Sequence, residues 1–279
     1  MRAPKLRERI QTLCPVPATA QRVIELTSRD TSDIREIAEA IALDASIAAE
    51  LMRLANSALL GRRRKVDTLE QAVVSVGLRE LHEMATAMGM LAAFASDHEL
   101  SRGFHQRSLS AGSIARHVAP EIGLRQQRSV AFLAGLLSEV GAMGLLAADG
   151  EEYAELLDEA GSDFDRRAKL EIARYGWSSP ALGAALLEDN GLPPSITEAV
   201  RGEIIDPAAA LTSYVRRAAA AIEAVDDESY DAIAEGSIGD RLEAIAAESE
   251  LEVDRLQLVL LTLEAAGVAD ELWRERVAC

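Results

Sequence analysis

LRELHEMATAMGMLAAFA, residues 78–95, is the strongest helical pattern in the chain. Its apolar side chains recur at helical spacing on nearly two faces, which is typical of a helix at the centre of a bundle. Met84, Met88 and Met90 lie on it, and we interpret them as flexible core filling rather than as ligands. No alternating strand pattern of useful length occurs in the chain, so the sequence predicts an all-α fold.

Helix start signals extend this prediction toward the N-terminus. A helix is predicted to start near Pro17, because proline fits the first helical turn. Either Ser32 or Asp33 can cap the next helix, and Asp44 can cap the one after it. The sequence TLEQ at 68–71 fits a capping box, in which a threonine and a glutamine three residues later satisfy each other's backbone donors.

Composition limits the classes of function. The chain has 279 residues and a net charge of −17, but residues 1–70 carry +2 and the remainder −19. Duplex DNA binding draws its affinity from phosphate neutralisation, so this acidic body argues against a nucleic-acid partner. Two cysteines, Cys14 and Cys279, cannot form a disulfide framework, which predicts a reducing cytoplasm. No apolar run is judged long enough to cross a bilayer, so no membrane association is predicted.

Polar and acidic segments predict three divisions of the chain. The polar stretch 96–103 separates an N-terminal helical bundle, 1–95, from a second bundle, 96–210. Residues 211–279 hold 6 Lys and Arg against 16 Asp and Glu, and they are predicted to form an acidic helical extension. No fixed-period repeat occurs, which excludes a solenoid.

Five stretches within residues 13–95 carry a family resemblance: LCPVP at 13–17, IALD at 41–44, LMRLANSA at 51–58, LEQAV at 69–73 and VGL at 76–78. In this order and spacing they resemble the HD-related output domain (HDOD), a bacterial signalling module. The resemblance continues through AGLL at 134–137 and LGAALL at 182–187, and so reaches roughly residue 210. It implies a fold of two helical bundles, the second related to HD-type metal-dependent phosphohydrolases, with additional C-terminal helices.

The same resemblance implies that the metal ligands of this chain are replaced. Active HD-type enzymes hold divalent metals with histidine and aspartate, and the metal activates water and polarises a phosphoryl oxygen. The matching positions in this chain are Arg107, Ser138, Glu139, Ser179 and Glu203. A guanidinium repels a dication and serine is a poor ligand. We therefore expect no catalytic residue, no metal and no cofactor.

The histidines give no independent indication of a metal site. The chain has four, His82, His98, His105 and His117, and no pair has the spacing that places two imidazoles on one metal. His105 lies two residues before Arg107 and is the alternative for the first ligand position. Even so, a lone histidine and a glutamate do not make a binuclear site.

Arg62, Arg63, Arg64 and Lys65 form the one concentrated charge feature. They are either a solvated interhelical loop or an anion site, since clustered cations recognise phosphate and carboxylate groups. Arg107 is a further candidate for anion binding.

Three functions follow from these observations. The favoured one is a non-catalytic bacterial signal-transduction module that acts through protein–protein interaction, because the scaffold is intact and its metal positions are replaced. The second is a sensor of a phosphorylated small molecule, such as a nucleotide or cyclic dinucleotide, in the degenerate HD pocket. The third is a divergent metal-dependent phosphohydrolase. Nucleotide-binding loops and nucleophile elbows are absent from the sequence, which counts against other enzyme classes.

Overall fold

The computed structural model describes residues 3–29, 32–56, 65–95, 98–202, 207–226 and 237–248, together with residues 251, 258, 261 and 262. The regular elements within these ranges are helices, which confirms the predicted all-α class. They form two compact units. The N-terminal unit is Cys14–Ala93, and the main unit combines Met1–Leu13 with Phe94–Cys279.

Five helices build the N-terminal unit: α2 (Ala18–Thr27), α3 (Ile34–Ala42), α4 (Ala45–Ala55), α5 (Leu69–Val76) and α6 (Leu78–Ala93). The predicted caps are present. The side chains of Asp33 and Asp44 accept hydrogen bonds from backbone N–H groups of α3 and α4, and Thr68 accepts one from Gln71 of α5. The Gln71 side chain accepts from the backbone N–H of Asp67 rather than of Thr68, so the capping box is shifted by one residue.

The core of the N-terminal unit is aliphatic. Buried side chains of all five helices meet in one cluster, which includes Val23, Ile37, Ile47, Val73 and Met84. Gly89 lets α6 approach α2, because a Cβ at this position would lie 2.8 Å from side-chain atoms of Ala20 and Val16. Helix α6 packs on α2, α4 and α5, in keeping with the two apolar faces in its sequence.

The main unit holds the remaining helices. They are α1 (Ala3–Leu13), α7 (Glu99–Glu121), α8 (Arg128–Leu136), α9 (Val140–Ala160), α10 (Phe164–Tyr175), α11 (Ser179–Asp189), α12 (Pro194–Arg201), α13 (Pro207–Asp226) and α14 (Ser237–Glu248). The long helices α7 and α13 pack together through a buried cluster that includes Ile114, Val118, Leu211, Tyr214 and Val215. Gly150, with φ 47°, divides α9 into two helical segments.

The division into units differs from the predicted one in three respects. Residues 1–13 belong to the main unit, because Leu6 and Ile10 are fully buried and α1 packs on α9. The stretch 96–103 is not a linker throughout: α7 begins at Glu99, and Ser101 is buried. Finally, α13 packs on α7, α8 and α12, so the segment after residue 210 is not a separate appendage at its start.

One segment corrects the prediction about membrane spans. Arg125–Ala160, which contains α8 and α9, has the length and apolar composition of a membrane-spanning helix. Its most apolar window is 89% buried inside the protein, as in the core helix of a soluble protein, so it is only weak support for membrane association. The cytoplasmic location inferred from the cysteines stays a prediction.

Candidate functional site

A buried arginine, Arg167 of α10, is the centre of the most extensive side-chain network among the described residues of the main unit. Its Nε donates to Oε1 of Glu171 at 2.9 Å. Its Nη2 lies 3.1 Å from the hydroxyl of Tyr153, 3.3 Å from the hydroxyl of Ser179 and 3.4 Å from Oε2 of Glu139. One guanidinium therefore joins α9, α10 and α11 with the residue that precedes α9.

The local sequence explains how each member of this network is positioned. Asp163 caps α10 by accepting from the backbone N–H of Arg166, and Gly176 ends the helix with a left-handed conformation. Arg167 and Glu171 are four residues apart on α10 and so project from the same face. Ser179 begins α11, and Glu139 precedes the first residue of α9.

Glu171 is fully buried, and both oxygens of its carboxylate accept hydrogen bonds. Its Oε1 accepts from the Tyr153 hydroxyl at 2.6 Å, and its Oε2 accepts from the backbone N–H of Ser179 at 2.5 Å. It thus pairs with Arg167 and also satisfies a backbone donor at the start of α11. A carboxylate enclosed in this way is stable only because its charge is compensated nearby.

The backbones of α9 and α11 touch at the site. A Cβ at Gly141 would lie 1.8 Å from the carbonyl oxygen of Ser179 and 2.7 Å from the backbone nitrogen of Gly183. No side chain fits there. Glycine at position 141 therefore sets the distance between Ser179 and Glu139.

Three arginines act on the Glu139 carboxylate. Burial alone would raise the pKa of Glu139, but the positive charges of Arg167, Arg216 and Arg107 outweigh burial and hold the pKa below its usual value. For Arg167, burial opposes the charged form, but the surrounding Tyr153, Glu139 and Glu171 raise its pKa above the ordinary value for arginine. Both groups are therefore charged at neutral pH.

Aromatic rings support the guanidinium groups. Two guanidinium groups lie near the Phe104 ring of α7. The guanidinium carbon of Arg107 is 4.6 Å from the ring centre, and that of Arg167 is 5.7 Å from it. The guanidinium of Arg216, on α13, lies 5.1 Å from the centre of the Phe164 ring. A ring face attracts a cation, so these contacts hold arginines near one another despite their like charge.

Several enclosed polar atoms in this region have no hydrogen-bond partner among the described residues. They are Glu139 Oε1, Arg216 Nε and the hydroxyls of Ser108 and Ser138. Buried polar atoms are normally paired, and unpaired ones are found where a water, an ion or a ligand binds.

The structure brings together some of the residues predicted from sequence. Glu139 and Ser179 meet through Arg167, Arg107 acts on Glu139, and Ser138 is buried next to Glu139 in the chain. Glu203 and the arginines at 62–64 lie outside the described residues. Lys65 is exposed and belongs to the N-terminal unit.

Sequence reasoning missed four members of the network: Arg167, Glu171, Tyr153 and Arg216. A signal was present for two of them. Phe164, Arg167, Glu171 and Tyr175 share one face of α10, where a stripe of apolar residues would be expected. An arginine and a glutamate within such a stripe indicate a buried ion pair. Tyr153 and Arg216 lie on distant helices, and no local pattern points to them.

Three of the four histidines make separate contacts. His82 contacts the Thr27 hydroxyl in the N-terminal unit, His98 caps α7, and His105 Nδ1 lies 2.8 Å from the carbonyl oxygen of Ser101. Across the part of the chain that the structure describes, no three His, Cys, Asp or Glu side chains are grouped so that they could hold a metal.

The fold and the site define an all-helical protein whose main unit encloses a buried arginine–glutamate network. The sequence model of the HDOD domain family matches residues 13–203, which is more than half of the chain. The chain belongs to the HDOD domain family. The resemblance found in its short motifs is thereby confirmed.

Known proteins agree with this fold. The crystal structure of a Shewanella amazonensis SB2B protein, named provisionally as a phosphohydrolase, is similar over 98% of both chains, with a TM-score of 0.66 and 19% identity. A Marinobacter aquaeolei VT8 protein, named provisionally for signal transduction, has a TM-score of 0.60 and 21% identity over 99% of this chain and 60% of its own. An uncharacterized protein of Treponema pallidum (strain Nichols) is 23% identical over 71% of this chain. The match spans 39% of that relative's length.

Proposed function

We propose that this chain is a non-catalytic signalling module that acts by binding a protein partner. The observation that carries the proposal is the position of Arg167. By the resemblance to HD-type enzymes, Glu139 and Ser179 stand at metal-ligand positions, and the Arg167 guanidinium contacts both. A permanent cation supplied by the chain thus takes the charge-compensating place that a metal takes in an active relative.

An arginine compensates charge but does not supply the chemistry of a metal. A bound divalent metal has open coordination positions, at which water is activated. A guanidinium offers only N–H donors. The remaining candidate base is Glu139, and the lowered pKa of its carboxyl makes it a weak acceptor of protons. Among the described residues, the cluster therefore offers neither a ligand set that would activate a water nor a suitable general base.

A domain without catalysis transmits a signal through its surface. The family model covers the N-terminal unit and the main unit as far as residue 203. A structural relative is named provisionally for signal transduction, which supports an output role. Among the described residues, four large apolar side chains are exposed on the N-terminal unit: Ile34, Leu43, Val74 and Leu78. Leu43 and Val74 are the most exposed, at 76% and 59%. Exposed apolar side chains favour a protein contact when they form one patch on the surface.

Affinity capture with the full chain tests this function. We expect one protein to be enriched equally with and without EDTA, and we expect the double variant Leu43→Glu/Val74→Glu to lose it. The matched control is Leu109→Glu, which places the same charge on an exposed leucine of the main unit. Capture that requires a divalent metal would contradict a metal-free module. If the double variant still captures the protein, Leu43 and Val74 are not part of the binding surface.

A further inference from the structure

The first helix of the chain packs on the main unit, but the residues that follow it do not belong to that unit. α1 packs on α9 and α11, whereas Cys14–Ala93 form the N-terminal unit, and the chain returns to the main unit at Phe94. While α1 is docked, the N-terminal unit is therefore joined to the main unit at both of its ends. When α1 is released, only the connection after Ala93 remains.

Few side chains hold α1 in place. Leu6 and Ile10 are fully buried, and Ile10 lies against Gly144 of α9, where a Cβ would be 3.3 Å from its side chain. The other side chains of α1 that the structure describes are partly or fully exposed. A helix of 11 residues is not stable alone in water. The folding of α1 therefore depends on its docking, and the docking depends on a small set of contacts.

One carboxylate joins α1 to α11. Asp189, the last residue of α11, accepts hydrogen bonds from both the Arg7 guanidinium and the Gln11 side-chain amide. A carboxylate at this place opposes its own helix, because the unpaired carbonyl groups at a helix C-terminus carry partial negative charge. The last turn of α11 contains no basic residue that would compensate it. Asp189 thus disfavours α11 by itself and becomes favourable through its contacts with α1.

A short connection links the position of α1 to the next helix. Residues 14–17 separate α1 from α2, and two of these four, Pro15 and Pro17, have a fixed φ. Such a link has little freedom of its own, so docked α1 limits the movement of α2. Because α2 contributes buried side chains to the core of the N-terminal unit, the limit on α2 applies to the whole unit.

We propose that α1 is a releasable strap. Docked through Leu6, Ile10 and the Asp189 carboxylate, it restricts the N-terminal unit, and its release leaves that unit attached at one end only. This conformational device goes beyond the partner-binding function and does not depend on it.

Hydrogen exchange of the full chain, measured by mass spectrometry, tests whether α1 is released separately. A segment that opens without global unfolding has lower amide protection than the core around it. In the unmodified protein we expect the protection factors of α1 to be at least about tenfold lower than those of 140–149, the buried first segment of α9. Equal protection of the two segments would mean that α1 is released only when the unit unfolds, and it overturns the proposal.

Charge reversal tests the role of Asp189. Asp189→Arg repels Arg7 but suits the C-terminus of α11, so it weakens the docking of α1 without weakening α11. We expect the protection of α1 to fall at least about tenfold, which corresponds to one charge-assisted hydrogen bond. The double variant Arg7→Glu/Asp189→Arg should restore part of this protection.

Glu159→Arg is the matched control. It reverses the same charge in the surface pair of Glu159 with Arg166, which does not involve α1, so the protection of α1 should stay as in the unmodified protein. If the control lowers this protection as much as Asp189→Arg does, or if the double variant restores nothing, Asp189 does not hold α1 and the proposal is overturned.

Movement of the N-terminal unit gives an independent readout. Arg79 and Leu109 are exposed, one in each unit, so spin labels on cysteines at these positions report on the distance between the units. Both native cysteines are replaced by serine in this background. Pulsed electron paramagnetic resonance should give a broader distance distribution in Asp189→Arg than in the unmodified protein, and Glu159→Arg should leave it unchanged. An unchanged width in Asp189→Arg, in which α1 exchange is accelerated, would show that α1 does not restrict the N-terminal unit, and the proposal would fail.

Discussion

Arg167→Met lowers the free energy of unfolding by about 3–5 kcal/mol, the cost of removing one partner from a buried ion pair. The variant leaves the carboxylates of Glu139 and Glu171 enclosed without their shared cation. Chemical denaturation at neutral pH measures the effect. The control is Arg166→Met: the neighbouring arginine pairs with Glu159 on the surface, and such pairs contribute only about 0–1 kcal/mol.

The two variants separate the network from general charge effects. If Arg167→Met lowers the free energy of unfolding no more than Arg166→Met does, the network does not stabilise the fold. The central role given to Arg167 would then be contradicted. A double-mutant cycle with Glu139→Gln gives the coupling directly. Removing the carboxylate should recover part of the stability lost in Arg167→Met, because it removes a buried charge that has lost its main partner.

The loss caused by Arg167→Met should become smaller as the pH falls toward about 4, near the ordinary pKa of glutamate. In the unmodified protein the pKa of Glu139 is lowered, so its contribution to stability is present above the ordinary glutamate pKa and is lost as the pH falls through the lowered value. Without Arg167, burial raises the pKa of Glu139, and protonation then stabilises the variant at acid pH. A loss that stays constant between neutral pH and pH 4 would contradict this electrostatic account.

Gly141→Ala is expected to be the most damaging single-atom addition in the main unit. The new Cβ would meet the Ser179 carbonyl oxygen at 1.8 Å, so the backbones of α9 and α11 must separate. Overpacking of a core costs about 1–3 kcal/mol and occasionally more, and a clash with backbone falls at or above the upper end of that range. Thermal or chemical denaturation measures the loss.

Gly144→Ala is the control, one turn further along α9. A Cβ there meets only the ends of the Ile10 and Leu186 side chains, at 3.3 Å. These side chains can adjust, and alanine favours helix over glycine by about 1 kcal/mol. We expect Gly144→Ala to be neutral or stabilising. If the two substitutions have equal effects, the close approach of α9 and α11 at Gly141 is not a constraint.

Much of the fold could be predicted because its determinants are local. Three helices are capped by the side chains of Asp33, Asp44 and Thr68. Each side chain accepts a hydrogen bond from a backbone N–H group only two or three residues later in the chain. Gly150 breaks α9 through a positive φ, which glycine adopts without steric cost. The membership of α1 in the main unit could not be predicted, since it depends on the burial of Leu6 and Ile10 against a helix far along the chain.

The candidate site could be predicted only in part. The family resemblance points to Glu139 and Ser179, and both are in the network. It does not point to Arg167, because that residue is not at a metal-ligand position of the family pattern. The contacts of the Arg167 guanidinium span three helices and join residues up to 40 positions apart, from Glu139 to Ser179. Such a network depends on how the helices pack, which local patterns do not encode.

Divalent-metal content of the full chain, purified without chelator and analysed by elemental analysis after desalting, tests the central claim most directly. We propose that Arg167 takes the charge-compensating place of a metal at Glu139 and Ser179. We predict no stoichiometric Mg, Mn, Fe, Co, Ni or Zn, and no hydrolysis of a phosphodiester when these metals are added. One or two metal ions retained per chain, with metal-stimulated hydrolysis that Glu139→Gln abolishes, would contradict it.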